Sequence, residues 1–123
     1  MSLWMEMTNG AGGSGGYQLL KTEQLTFSEK IATLTGLTPG KGYMLILSFG
    51  WSNANTGTNC RLTSITNTTD LTDVETGTEY NGTQYCYTHW CIYTFKATGS
   101  SGTITKETAP SNPKARCFLF EKV

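Results

Sequence analysis

The stretch Leu37-Thr38-Pro39-Gly40-Lys41-Gly42-Tyr43-Met44-Leu45-Ile46-Leu47-Ser48-Phe49 constrains the fold more than any other part of the chain. Pro39 sets the φ wanted at the first corner of a type I or II turn, and Gly40 accepts the positive φ that a type II turn needs at the next. Lys41 and Gly42 keep the exit solvated. Residues 43–49 are then apolar on both alternation sets: Tyr43, Leu45, Leu47 and Phe49 on one, Met44 and Ile46 on the other, with Ser48 polar. Periodicity alone does not separate a buried strand from a buried helical segment. The flanking Gly and Pro and the short run favour a central strand covered on both faces.

The remaining segments repeat that grammar. Residues 17–25 read as a first strand. Residues 30–37 alternate, with Ile31, Thr33, Thr35 and Leu37 on one face and Ala32 and Leu34 on the other. Residues 51–59 are rich in turn formers and read as a loop; residues 60–66 read as a strand. Residues 67–77 are polar and acidic, and read as a loop with at most one short strand. Asn81-Gly82 marks a turn. Residues 84–97 form a β-prone run, one bent strand or two, whose tail points Tyr93, Phe95 and Ala97 one way and Thr94 and Lys96 the other. A turn at 99–102, a strand at 103–107, a loop at 110–113 and a closing strand at 115–123 complete the chain. No segment carries a helical stripe over three turns. Eight or nine short strands at this spacing predict an all-β antiparallel sandwich, jelly-roll-like.

A chain of 123 residues suits one domain with one two-layer core. The tract Gly10-Ala11-Gly12-Gly13-Ser14-Gly15-Gly16 reads as a flexible linker, so residues 1–16 are expected to be a leader and 17–123 a single sandwich domain. The leader carries Trp4, Met5 and Met7, which would dock on a neighbouring subunit if they order at all. It has neither a basic n-region nor a long apolar core, so it does not read as a secretory signal. Nine basic and nine acidic residues cancel, which leaves no electrostatic footprint for nucleic acid or an anionic membrane. No apolar run approaches a membrane-spanning length. The charged fraction, 15%, is low for a soluble domain, and Thr and Gly fill the difference, a balance common in extracellular and virion β-proteins.

Two fragments resemble a known pattern. Gly36-Leu37-Thr38-Pro39-Gly40-Lys41-Gly42-Tyr43 with its apolar strand resembles the L-T-P-G-K-x-Y-x-L strand of galactose-binding-like jelly-roll modules. Residues 90–98, a Gly/Ser turn and Thr103-Ile104-Thr105 are similar to their penultimate strand pair, and residues 118–123 sit where such modules end. The whole resembles small accessory proteins encoded in the tail regions of Gram-positive prophages, which open with a Gly-rich leader and a Leu-Leu-Lys-Thr strand, here Leu19-Leu20-Lys21-Thr22. The resemblance covers most of residues 17–123 and rests on turn and strand patterns, which specify fold better than function. It implies a non-enzymatic phage or prophage tail structural protein that contacts the host surface. Such a protein would sit in the virion, or outside the cell or on its surface, as a homo-oligomer such as a trimer or with other tail proteins. The calcium-binding and sugar-contacting residues of galactose-binding-like modules have no clear counterpart here. The rival function is a carbohydrate-binding module of a bacterial surface or secreted protein.

Trp51, Asn53, Tyr85, Tyr87, His89 and Trp90 form the candidate ligand platform: aromatic faces stack on sugar rings, and amides bind hydroxyls, although aromatics equally fill sandwich cores. Asp70, Asp73, Glu75 and Glu79 form an acidic stretch that could hold Ca²⁺, but their spacing matches no EF-hand, and a solvated loop is expected. Cys60, Cys86, Cys91 and Cys117 lack the paired spacing of a zinc site and are expected to be free, mostly buried thiols. His89 is the lone histidine, with Cys86 and Cys91 nearby; no nucleophile elbow or oxyanion loop accompanies it, so no catalytic residue, metal or cofactor is expected.

Overall fold

The computed structural model describes residues 16–52, 60–80, 87–109 and 113–123. These form eight strands: β1 (Tyr17–Thr26), β2 (Ile31–Thr35), β3 (Gly42–Ser52), β4 (Leu62–Ile65), β5 (Thr68–Tyr80), β6 (Tyr87–Ala97), β7 (Ser101–Lys106) and β8 (Lys114–Lys122). They make two antiparallel sheets, a five-stranded one ordered β1-β8-β3-β6-β5 and a three-stranded one ordered β2-β7-β4. The protein is an all-β antiparallel sandwich.

The pairs β1·β8, β2·β7 and β3·β6 are nested, first strand with last, second with second-last, third with third-last. That is a long hairpin rolled upon itself, the wrap of a jelly roll. The innermost pair of the series departs from the pattern. β5 leaves β4 and joins β6 at the edge of the larger sheet.

The departure is made at a two-residue corner, Thr66 and Asn67. Asn67 has φ 58°, a left-handed conformation that Asn tolerates better than most side chains. Its amide donates to the Ser101 carbonyl at 2.8 Å, and the Thr68 hydroxyl donates to the Ile65 carbonyl at 2.6 Å. Beneath the corner runs Gly102, where a Cβ would lie 2.4 Å from the Thr66 carbonyl oxygen, so the close approach of β7 requires glycine.

At the turn before β3, Lys41 N–H donates to the Thr38 carbonyl at 3.1 Å and Gly40 has φ 91°. Pro39 and Gly40 thus occupy the corners of a type II turn. β3 then runs between β8 and β6 at the centre of the larger sheet, as its apolar run requires. Tyr43, Leu45, Leu47 and Phe49 face the three-stranded sheet and are buried. They meet Leu34, Leu62, Ile65 and Ile104 from the other layer, and Tyr93, Phe95, Cys91, Leu119 and Cys117 from their own. The Tyr93 hydroxyl accepts from Leu62 N–H at 2.9 Å and ties the two layers together; burial pushes its pKa up to about 12.

Two expectations are corrected. Residues 67–77 are part of a thirteen-residue strand, β5, rather than an acidic loop. Polar, charged composition is what an edge strand carries, because one side of its backbone stays open to pairing and charges discourage that. β5 bends through register shifts between Thr69 and Thr72 and between Asp73 and Glu75, and Asp70 has φ 61°. Trp51 and Ser52, expected in a loop, extend β3, with Ser52 paired to Tyr87.

Candidate functional site: the outer face of the five-stranded sheet

The pairing register arranges the outward side chains of the larger sheet in rows. Leu19, Phe120, Met44, Thr94 and Thr72 form one row across β1, β8, β3, β6 and β5. Thr22, Phe118, Ile46, Ile92 and Glu75 form the next, and Gln24, Arg116, Ser48, Trp90 and Gly77 the third. Antiparallel sheets ordinarily solvate the face turned away from the core. Here Met44, Ile92 and Phe120 make a second apolar cluster, with Tyr17, Ile46 and Phe118 packed against it. Every member belongs to the five-stranded sheet. Met44, Phe120 and Ile92 are only 2%, 3% and 8% exposed, although the three-stranded sheet lies on the opposite side.

At one margin of this face Trp90 lies across Gly77 of the edge strand, and its indole N–H donates to Glu75 Oε2 at 3.1 Å. The glycine makes room for the ring, and the ring covers backbone that glycine leaves bare. At the other end an open cleft of about 440 Å³ is lined by Tyr17, Gly40, Gly42, Asp70, Thr72, Thr94, Phe95, Lys96 and Lys122. Its amines donate, its carboxylate accepts and its hydroxyls do both, a lining suited to a hydroxyl-rich or zwitterionic ligand. Burial raises the pKa of Tyr17 at its rim. Beside it Lys41 pairs with Glu121, and that hydrogen bond raises the amine's pKa.

The expected platform is divided by this geometry. Phe49 pairs with His89, Ser48 with Trp90 and Ser52 with Tyr87, so Trp51, Tyr87, His89 and Trp90 share one end of the β3–β6 ladder. The pleat then sends neighbours to opposite faces. Trp90 is on the outer face, half-buried, whereas His89 points into the sandwich at 3% exposure, with Nδ1 2.9 Å from the Thr78 hydroxyl. Asn53 and Tyr85 lie outside the described residues.

The acidic residues are dispersed in the same way. Asp73 meets the Tyr93 hydroxyl, which donates to it at 3.4 Å, and Glu75 holds the Trp90 indole on the other face. Among the described residues no group of three or more His, Cys, Asp or Glu side chains is placed to share a metal ion.

Cys60, Cys91 and Cys117 are free and buried; Cys86 lies outside the described residues. A hydrogen bond with Cys60, together with burial, pushes the Cys91 thiol far above its ordinary pKa. That thiol neighbours Cys60 within the core, and its chemistry is that of a packed small hydrophobe rather than a thiolate. Lys106 is buried beside them with its amine 4.7 Å from the Phe49 ring centroid, and desolvation lowers its pKa.

The outer cluster was the part least visible in the sequence. Its signal was present in the double apolar alternation of β3 and in the unbroken Phe118-Leu119-Phe120 run. The register that aligns Met44 with Phe120 and Ile46 with both Phe118 and Ile92 has no local signature. No family model, curated protein or solved structure matches this chain.

Proposed function

We propose that this chain is a non-enzymatic structural protein of a phage or prophage tail, assembled through the outer face of its five-stranded sheet and bringing part of its remaining surface to the host. One observation carries the assembly reading: the larger sheet has a core on one face and a second apolar cluster on the other. The centre of that cluster is already shielded in the single chain, so the gain from assembly lies at its margin, where Leu19 of the same row is 50% exposed and roughly 25 cal/mol is available for each Å² of apolar surface withdrawn from water. The prophage-like leader and first strand in the sequence, the low charged fraction and the jelly-roll wrap support the tail assignment. Light scattering on the full chain tests it. A trimer or other closed oligomer at micromolar concentration is expected. A monomer at tens of micromolar would overturn the assembly reading.

Trp90 favours a second reading, a carbohydrate-binding module. One face of the indole rests on Gly77, and the ring's orientation is set by Glu75, as a sugar-stacking platform requires. A monomer retained on immobilised cell-wall polysaccharide, with retention lost on Trp90→Ala, would replace the first reading with this one.

A further inference from the structure

We propose that the open cleft at the Gly42 end of the outer face binds an acidic sugar, a hydroxyl-rich ring carrying one negative charge. Lys96 and Lys122 hold the anionic group, and Asp70, Thr72 and Thr94 hold the hydroxyls. This deepens the host-contact part of the proposed function, on which it rests, by naming the ligand class.

Register sets the floor of the cleft. Tyr17 pairs with Lys122, and Gly42 and Thr69 both pair with Lys96. Lys122 flanks Gly42 on the side away from Lys96: a Cβ at Gly42 would lie 3.4 Å from Lys122 Cδ. Gly42 has no side chain, so bare backbone lies between the two lysines. Their Cα atoms stand two strand spacings apart, or about 10 Å. Each four-carbon stem is flexible and ends in a compact point charge with three donors, so both amines reach one anion above the glycine.

A bulge sets the acceptor. Between Thr69 and Thr72, β5 carries Asp70 and Leu71 opposite Phe95 alone. Leu71 packs on the main core, while Asp70, with φ 61°, lines the cleft. Bulges re-aim side chains in this way. The Thr72 hydroxyl donates to the Asp70 carbonyl at 3.1 Å, which leaves its oxygen to accept from a ligand. Thr94, paired with Thr72, offers a second hydroxyl to the same cleft.

Charge selects the ligand. Among the described residues no ion pair engages Lys96, Lys122 or Asp70, and the neighbouring carboxylate of Glu121 is taken by Lys41. Two amines against one carboxylate leave one positive charge, which a singly charged ligand neutralises. The Asp70 carboxylate accepts from hydroxyls and opposes a second negative charge. The cleft, about 440 Å³, falls within the range of about 300–1,000 Å³ usual for small-ligand sites.

The test is an NMR titration of the full chain with glucuronate, glucose and acetate, read at the backbone amides of Gly42, Lys96 and Lys122. Glucuronate should shift those amides with a Kd of about a millimolar, and glucose and acetate should each bind at least tenfold more weakly. Lys96→Gln/Lys122→Gln should weaken glucuronate binding at least tenfold. Lys30→Gln/Lys114→Gln, which removes the same charge outside the cleft, should leave it unchanged. Asp70→Asn should tighten acetate several-fold and narrow the preference for glucuronate over it. No shift at those amides at about 10 mM glucuronate, or equal affinity for glucuronate and acetate, would overturn the inference. Retention on immobilised cell-wall polysaccharide without glucuronate binding keeps host contact and sinks this site. Glucuronate binding without such retention keeps the site and sinks host contact.

Discussion

Gly77→Ala tests the geometry of the outer face most directly. A Cβ at Gly77 would lie 2.2, 2.6 and 2.7 Å from Cζ2, Cε2 and Cη2 of Trp90. Carbon atoms reach their contact minimum at about 3.5–4.0 Å, so the ring must lift by more than 1 Å. An indole is rigid, and lifting it means leaving its rotamer, at about 0.5–1.5 kcal/mol. It also means losing the 3.1 Å hydrogen bond to Glu75, worth about 0.5–1.5 kcal/mol. Against this, alanine in a strand gains about 0.5–1 kcal/mol over glycine from the unfolded chain's entropy. The net expectation is a destabilisation of about 1 kcal/mol, read as a lower urea midpoint at unchanged m-value. With Trp4 and Trp51 replaced by Phe, the Trp90 emission should shift red as the ring moves into water. In a Trp90→Ala background the same Gly77→Ala change should be neutral or stabilising, and the difference isolates the ring–glycine contact. If Gly77→Ala is as stable as the parent with unshifted emission, Trp90 does not rest on Gly77, and the platform reading goes with it.

Lys106→Met removes a desolvated amine from the core while Met keeps the stem's packing against Phe49. Burial lowers this amine's pKa in the folded state, so the unfolded chain holds the proton to higher pH, and parent stability rises as pH passes from the lowered value towards 10.5. Lys106→Met should lack that rise across the window in urea titrations; a variant that keeps it would refute the argument. The thiols act with opposite sign. Burial pushes Cys117 up to about 12 from 9.0, so the native state keeps a proton that the unfolded chain loses, and stability falls as pH rises through that interval. The slope is about 1.4 kcal/mol per pH unit for one such group. In the Lys106→Met background, which removes the opposing amine, Cys117→Ala should flatten the alkaline decline. With Cys86 replaced by Ser, iodoacetamide at pH 8 should label Cys60, Cys91 and Cys117 only at the rate of unfolding, and rapid native labelling of any one would show that it is not sealed in the core.

Where the sequence was legible, a local rule and the tertiary structure agreed. Pro39-Gly40 forms the expected turn because a fixed φ beside a positive φ leaves the backbone few alternatives. Tyr93, Phe95 and Ala97 turn inward together because a strand has period two and burial rewards one face. β5 is not legible as a strand in the sequence, because a polar edge strand and a polar loop share a composition and only pairing with β6 distinguishes them. His89 and Trp90 look like one platform in the sequence because they are neighbours there, and the pleat separates neighbours.

By itself, then, the sequence determined an all-β chain, its principal turn, its central doubly apolar strand and the inward-facing set on β3 and β6. All of these follow from steric rules and alternation within a few residues. The tertiary structure decided which strands meet, that β5 abandons β4 for β6, and that Tyr17, Met44, Ile46, Ile92, Phe118 and Phe120 gather on one outer face. These residues come from four strands spread over the length of the folded chain, and only long-range hydrogen-bonded register brings them together. Register is a property of pairs of strands, so no single segment encodes it.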